Sequence, residues 1–89
     1  MISLTSVQNK LEGKGFRRSG KSFDYNLKLS IIDYEHPRRN DMYALFVDEF
    51  LGSVKYIEHT TFCWNSEVSR YIPVVKKIEN LGDFNKTIG

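Results

Sequence analysis

The most regular pattern along the chain lies at residues 23–32, where Phe23, Tyr25, Leu27, Leu29 and Ile31 alternate with Asp24, Asn26, Lys28 and Ser30. A period of two predicts a strand with one buried and one wet face, as in an antiparallel sheet. Residues 42–47, Met-Tyr-Ala-Leu-Phe-Val, are apolar on both faces, as a central strand would be. The connection Asp33–Asp41, with Pro37 inside it, and the following Gly52 favour strand over helix for this run. A third strand is expected over 54–62, with Val54, Tyr56 and Phe62 on one face and Lys55, Ile57 and His59 on the other. Glu58 and Thr60 interrupt the apolar pattern, so a bulge or an exit from the sheet is expected near them.

Helical spacing flanks these strands. Val7 and Leu11, with Leu4, share one face of a helix over 5–13 that Thr5 or Ser6 can cap and that Gly13 and Gly15 end. Val68, Tyr71, Ile72, Val75 and Ile78 also fall on a helical stripe. Pro73 opposes a helix through its own position but suits a first helical residue, so an extended or turn entry is expected, followed by a helix from Pro73 to Leu81-Gly82. Residues 83–89 read as a flexible tail. The expected architecture is α+β: an N-terminal helix, a three-stranded antiparallel sheet and a C-terminal helix, forming a two-layer αβββα domain over residues 1–89.

Composition narrows the classes. Eighty-nine residues allow one domain, and 40% hydrophobic with 27% charged residues is a globular balance. Aromatics at 13% supply large buried areas to a small core. No apolar run approaches the ~18 residues of a membrane span, and the start Met1-Ile2-Ser3-Leu4-Thr5-Ser6 lacks the basic and apolar regions of a signal peptide. Cys63 is the only cysteine, so no internal disulfide or Cys-based zinc site can form within one chain. A cytoplasmic protein is expected, with no membrane partner.

Candidate chemistry is sparse. His36 and His59 are the only histidines, and on a strand His59 and Cys63 would lie about 13 Å apart, too far for a direct pair. His59 reads as a strand histidine satisfied by a neighbour, and His36 with Asp33 and Glu35 sits in a solvated loop. No phosphate loop, nucleophile elbow or metalloprotease helix is present. No catalytic residue, metal or cofactor is therefore assigned. Charge is more informative. The net balance is only +2, yet residues 10–28 hold six basic residues against two acidic ones, a local +4. Lys14, Arg17, Arg18 and Lys21 from this stretch, with Arg38 and Arg39 at the hairpin, form the candidate binding face for phosphate or acidic groups. Phe16, Phe23, Tyr25, Phe46, Tyr56 and Phe62 are expected in the core. Tyr34, Phe50 and Trp64 lie near loops or strand ends and are the candidate interface aromatics.

Two family resemblances follow from particular residues. Leu11-Glu12-Gly13-Lys14-Gly15-Phe16, then Arg18 and Gly20-Lys21-Ser22-Phe23, resembles the opening of the HicA-type toxins, whose small fold is related to double-stranded-RNA-binding domains. Phe23 stands where that family has its histidine, so the resemblance implies RNA binding without the catalytic group. Val54-Lys55-Tyr56-Ile57-Glu58-His59-Thr60-Thr61-Phe62, with Gly82-Asp83-Phe84 further on, resembles YEATS domains. That resemblance implies an all-β immunoglobulin-like sandwich that reads acylated lysine.

The residues themselves favour a small non-enzymatic binding or inhibitor protein, whose basic face docks on a protein or ribonucleoprotein that handles nucleic acid, or on RNA. By analogy, such compact single-domain proteins include phage and mobile-element products that evade host defence, which would place this one in a host cytoplasm.

Overall fold

The computed structural model describes residues 2–89. Its elements in chain order are β1 (Ile2–Ser3), α1 (Leu4–Gly13), β2 (Arg17–Asp24), β3 (Leu29–Glu35), β4 (Asp41–Asp48), β5 (Ser53–Asn65), β6 (Arg70–Ile78) and α2 (Leu81–Ile88). All strand pairs are antiparallel. One sheet runs in the order β2-β3-β4-β5, and β1 and β6 share the remaining edge of β5 at its two ends. Both helices press on one face of this sheet, where Val7 and Leu11 of α1 and Phe84 and Ile88 of α2 join Ile32, Tyr34, Tyr43, Leu45, Val54 and Ile57 in a single core. The opposite face is open.

The expected three-stranded αβββα domain is overturned by this sheet. Strands make up 53% of the chain, which is mostly β and compatible only with the all-β alternative. The strands nevertheless form one sheet rather than an immunoglobulin-like sandwich.

Four local decisions separate the expected fold from the observed one. The alternating run 23–32 is a hairpin, not one strand: β2 ends at Asp24 and β3 begins at Leu29. Asp24 Oδ1 accepts from the N–H groups of Asn26 and Leu27 at 2.9 and 3.0 Å, and Lys28 adopts φ 57°. This Asx turn prevails over the apolar alternation, because Phe23, Tyr25 and Leu27 point to solvent instead of a core.

The run with helical spacing is strand β6. Of the stripe residues, Val68, Tyr71 and Val75 are exposed and only Ile78 reaches the core, so too little buried face rewards a helix, and β-branched Ile72, Val74 and Val75 suit a strand. Pro73 fits because it lies on an edge. Phe62, its partner in register, donates its N–H to Asn40 O at 2.9 Å, on the β4 side. The Phe62–Pro73 pair is thus non-hydrogen-bonded, and the N–H that proline lacks would have faced the free edge.

The tail over 83–89 is instead helix α2, begun by Asn80, whose Oδ1 accepts from Asp83 N–H at 2.8 Å. Finally, β5 runs unbroken through Glu58 and Thr60. The irregularity falls at Lys55, between the Phe46–Tyr56 and Val47–Val54 pairs. That extra residue turns both Val54 and Ile57 inward and leaves Tyr56 and Phe62 on the open face.

Candidate functional site

The end of the sheet at the β3–β4 connection gathers most of the polar chemistry. Its anchor is Phe16, fully buried and held just after α1 by its N–H donating to Leu11 O at 3.0 Å. Around the Phe16 ring stand His36 (centroids 5.2 Å apart), Tyr43 (5.1 Å) and the Arg39 guanidinium (5.2 Å). Gly15 makes the His36 contact possible. It has φ +92°, and a Cβ there would come within 2.8 Å of His36 Nε2. His36 also closes its own turn: Nδ1 accepts from Arg38 N–H at 3.0 Å, and its carbonyl accepts from Arg39 N–H at 3.4 Å.

Behind this turn lies a part-buried ionic cluster. Arg39 donates from Nε and one terminal nitrogen to the two oxygens of Asp41, at 2.9 and 2.8 Å. His59 Nε2 donates to Asp41 Oδ2 at 2.8 Å, and its ring stacks on Tyr43 with centroids 4.4 Å apart. Burial pushes the Asp41 carboxyl up, but the hydrogen bonds from His59 and Arg39 outweigh it and hold the group below its usual value. Burial, with the Asp41 charge, pushes the Tyr43 phenol up to about 12. The Tyr43 hydroxyl is fully buried and has no hydrogen-bond partner among the described residues. His59 is thus a strand histidine satisfied by a neighbour. Asp41, which reads in the sequence as a solvated turn residue, is that neighbour and is 8% exposed.

The six candidate basic residues do not form one continuous face. Arg17 and Arg18, at the start of edge strand β2, line a cleft of about 530 Å³ with Ser19, Glu35, His36 and Pro37. The Gly15–His36 contact sets the α1–β2 connection, which carries the exposed Lys14, against the β3–β4 turn, which carries the exposed Arg38. Lys21 and Arg39 are engaged elsewhere. Lys21 pairs with Glu49, whose carboxyl the Lys21 ammonium holds below its usual value, and Arg39 is committed to Asp41.

The aromatic candidates also divide. Tyr34 is 1% exposed and belongs to the core. Phe50 stands out at the β4–β5 turn, and Trp64 is 59% exposed. Of the rings expected inside, Phe16 and Phe46 are buried and Tyr56 half-buried, while Phe23, Tyr25 and Phe62 are exposed.

A second cleft, of about 290 Å³, adjoins the first and shares Glu35 and His36 with it; Arg39, Met42, Phe62 and Tyr71 also line it. The sequence places Tyr71 on the approach to a helix expected from Pro73 and does not mark it as a site residue. The signal that could have found it is the β-branched content around Pro73. Among the described residues no group of three or more His, Cys, Asp or Glu side chains could hold a metal ion, and no helix is long and apolar enough to cross a membrane. Chemically, the corner offers guanidinium and ammonium donors to an anion, beside a small aromatic-walled cleft.

Comparison with known proteins leaves this geometry as the basis for function: no family model, no curated protein and no solved structure matches the chain.

Proposed function

We propose that this chain is a small non-enzymatic binding module that grips the phosphate backbone of nucleic acid, free or displayed by a ribonucleoprotein complex. The grip is the corner formed by Lys14, Arg17, Arg18 and Arg38. The observation that carries this reading is the state of the arginines. Arg17 and Arg18 enter no ion pair among the described residues and line an open cleft, whereas Lys21 and Arg39 are tied to carboxylates. Unpaired guanidiniums around a cleft suit bidentate contact with phosphate oxygens. The histidines support binding over catalysis, since His36 is held by its own turn and by Gly15, and His59 by Asp41 and Tyr43. A module of this kind that covers an exposed strand would block the machinery displaying it, as an inhibitor of a nucleic-acid-handling complex does.

The test is binding of fluorescent oligonucleotides as a function of salt. Affinity is expected to fall log-linearly with salt, and Arg17→Ala and Arg18→Ala are each expected to flatten that slope by about 0.7–0.9. Absence of binding at low salt, or a slope that both substitutions leave unchanged, overturns the reading.

A further inference from the structure

Strands β5 and β6 continue past the rest of the sheet. The first β4 residue, Asp41, pairs with Thr61, while the β5–β6 ladder runs on to Asn65 and Arg70. Asn65 caps the connecting turn, its Oδ1 accepting from Glu67 and Val68 N–H groups at 2.9 and 3.4 Å. The result is an arm with no neighbouring strand. On its open-face side, Trp64 pairs in register with Tyr71, their rings edge to face at 5.3 Å, and Phe62 pairs with Pro73. Trp64 and Tyr71 are 59% and 57% exposed. Large rings held on a rigid ladder in solvent forgo the burial that normally fixes them in a fold.

The arm is continuous with the basic corner. Tyr71 and Phe62 wall the smaller cleft, whose other side is Glu35 and His36, and these two residues also line the arginine cleft. From β2 to β6 the path crosses four inter-strand spacings, about 19 Å. Unpaired arginines stand at one end of this path and the rings at the other, with Glu35 and the Arg39–Asp41 pair between them.

We propose that the arm is a base-stacking platform, so that the ligand of this surface is single-stranded nucleic acid with its backbone at Arg17 and Arg18 and its bases on Tyr71, Trp64 and Phe62. The inference rests on the phosphate-gripping reading above. Stacking explains why the rings face solvent, because every base offers a flat face to an aromatic side chain while a duplex hides its bases. Antiparallel extension of β6 by another strand is a poorer use of the arm, since Pro73 removes a donor from the middle of that edge.

Trp64 is the only tryptophan, so its emission reports on the arm alone. The experiment titrates the whole protein with a single-stranded oligo-uridine and with a duplex RNA of equal length. Affinity is followed by anisotropy of a labelled strand, and the arm by Trp64 fluorescence. The single strand is expected to quench Trp64 and to bind more tightly than the duplex. Tyr71→Ala is expected to weaken single-strand binding roughly 5- to 100-fold with little effect on duplex affinity, and Tyr71→Phe to retain it. Tyr71 is exposed, and an unchanged thermal melt certifies the fold of each variant.

Salt-sensitive binding without quenching, and with Tyr71→Ala unaffected, overturns the platform while leaving the phosphate grip standing. Absence of binding by either oligonucleotide overturns both. Trp64 emission that varies with protein concentration and not with oligonucleotide makes the arm an interface between copies of this chain, which also overturns the platform.

Discussion

Single side chains at the β3–β4 end set two opposite pH limits. Asp41 has a lowered carboxyl pKa in the folded chain, so it contributes stability above its ordinary value of 3.8, and this is lost as pH falls through the folded value. Urea unfolding between pH 2 and 6 is expected to show that acid loss, and Asp41→Asn is expected to flatten it while lowering stability near pH 6. Tyr43 acts at the other limit. Its phenol rises from 10.0 to about 12, so folding favours the neutral form and stability falls as pH climbs between those values. Because its hydroxyl is buried without a partner, Tyr43→Phe is expected to leave stability at pH 7 unchanged or raise it by up to about 1 kcal/mol. The same variant is expected to lose the alkaline decline, measured by thermal melts from pH 8 to 12. A large loss of stability at pH 7 would mean that the hydroxyl has a partner in solution.

At the scale of elements, the eight residues of α2 matter more than their sequence suggests. Phe84 is fully buried and meets Tyr43 edge to face at 5.6 Å, and Ile88 is 4% exposed. Phe84→Ala is expected to cost about 3–5 kcal/mol, a large share of the ~5–15 kcal/mol available to a small domain, as read by urea denaturation. Helix α2 was hidden because only Phe84 and Ile88 of its eight residues are buried, one turn apart, and a stripe so short resembles a tail. Helix α1 was legible because Val7 and Leu11 repeat at helical spacing before glycines, although its cap is Ser3, whose Oγ accepts from Ser6 N–H at 3.3 Å, and not Thr5 or Ser6. Strand β6 failed for the reverse reason: a helical spacing existed with nothing to bury it. Its edge position gives a further prediction. Pro73→Val restores an outward N–H, and the variant is expected to self-associate at concentrations where the parent stays monodisperse by size-exclusion chromatography.

For the whole molecule, the charge pattern counts for more than the net +2. Gly15 lets the α1–β2 connection, the segment that leads from Lys14 to Arg17 and Arg18, pack on His36 of the turn that carries Arg38. Glu35, the registered neighbour of Arg17, stands in the wall common to both clefts. Its carboxylate opposes a bound phosphate, so Glu35→Gln is expected to tighten oligonucleotide binding several-fold, most strongly at low salt where Coulomb terms are least screened. Unchanged affinity would place the strand away from this wall.

The sequence by itself determined the local features whose causes are local: α1 with its terminal glycines, the apolar central strand β4, the basic stretch and its arginines. Tertiary structure decided the rest. Whether an alternating run is one strand or a hairpin depends on which side chains find a core, and Phe23, Tyr25 and Leu27 find none. Whether a spaced apolar stripe is helix or strand depends on the surface it meets, and β6 meets the edge of β5. Which basic residues remain available depends on carboxylates distant in sequence, as Glu49 takes Lys21 across the fold. Burial and ion pairing are properties of neighbours, and a linear pattern does not contain them until the chain has folded.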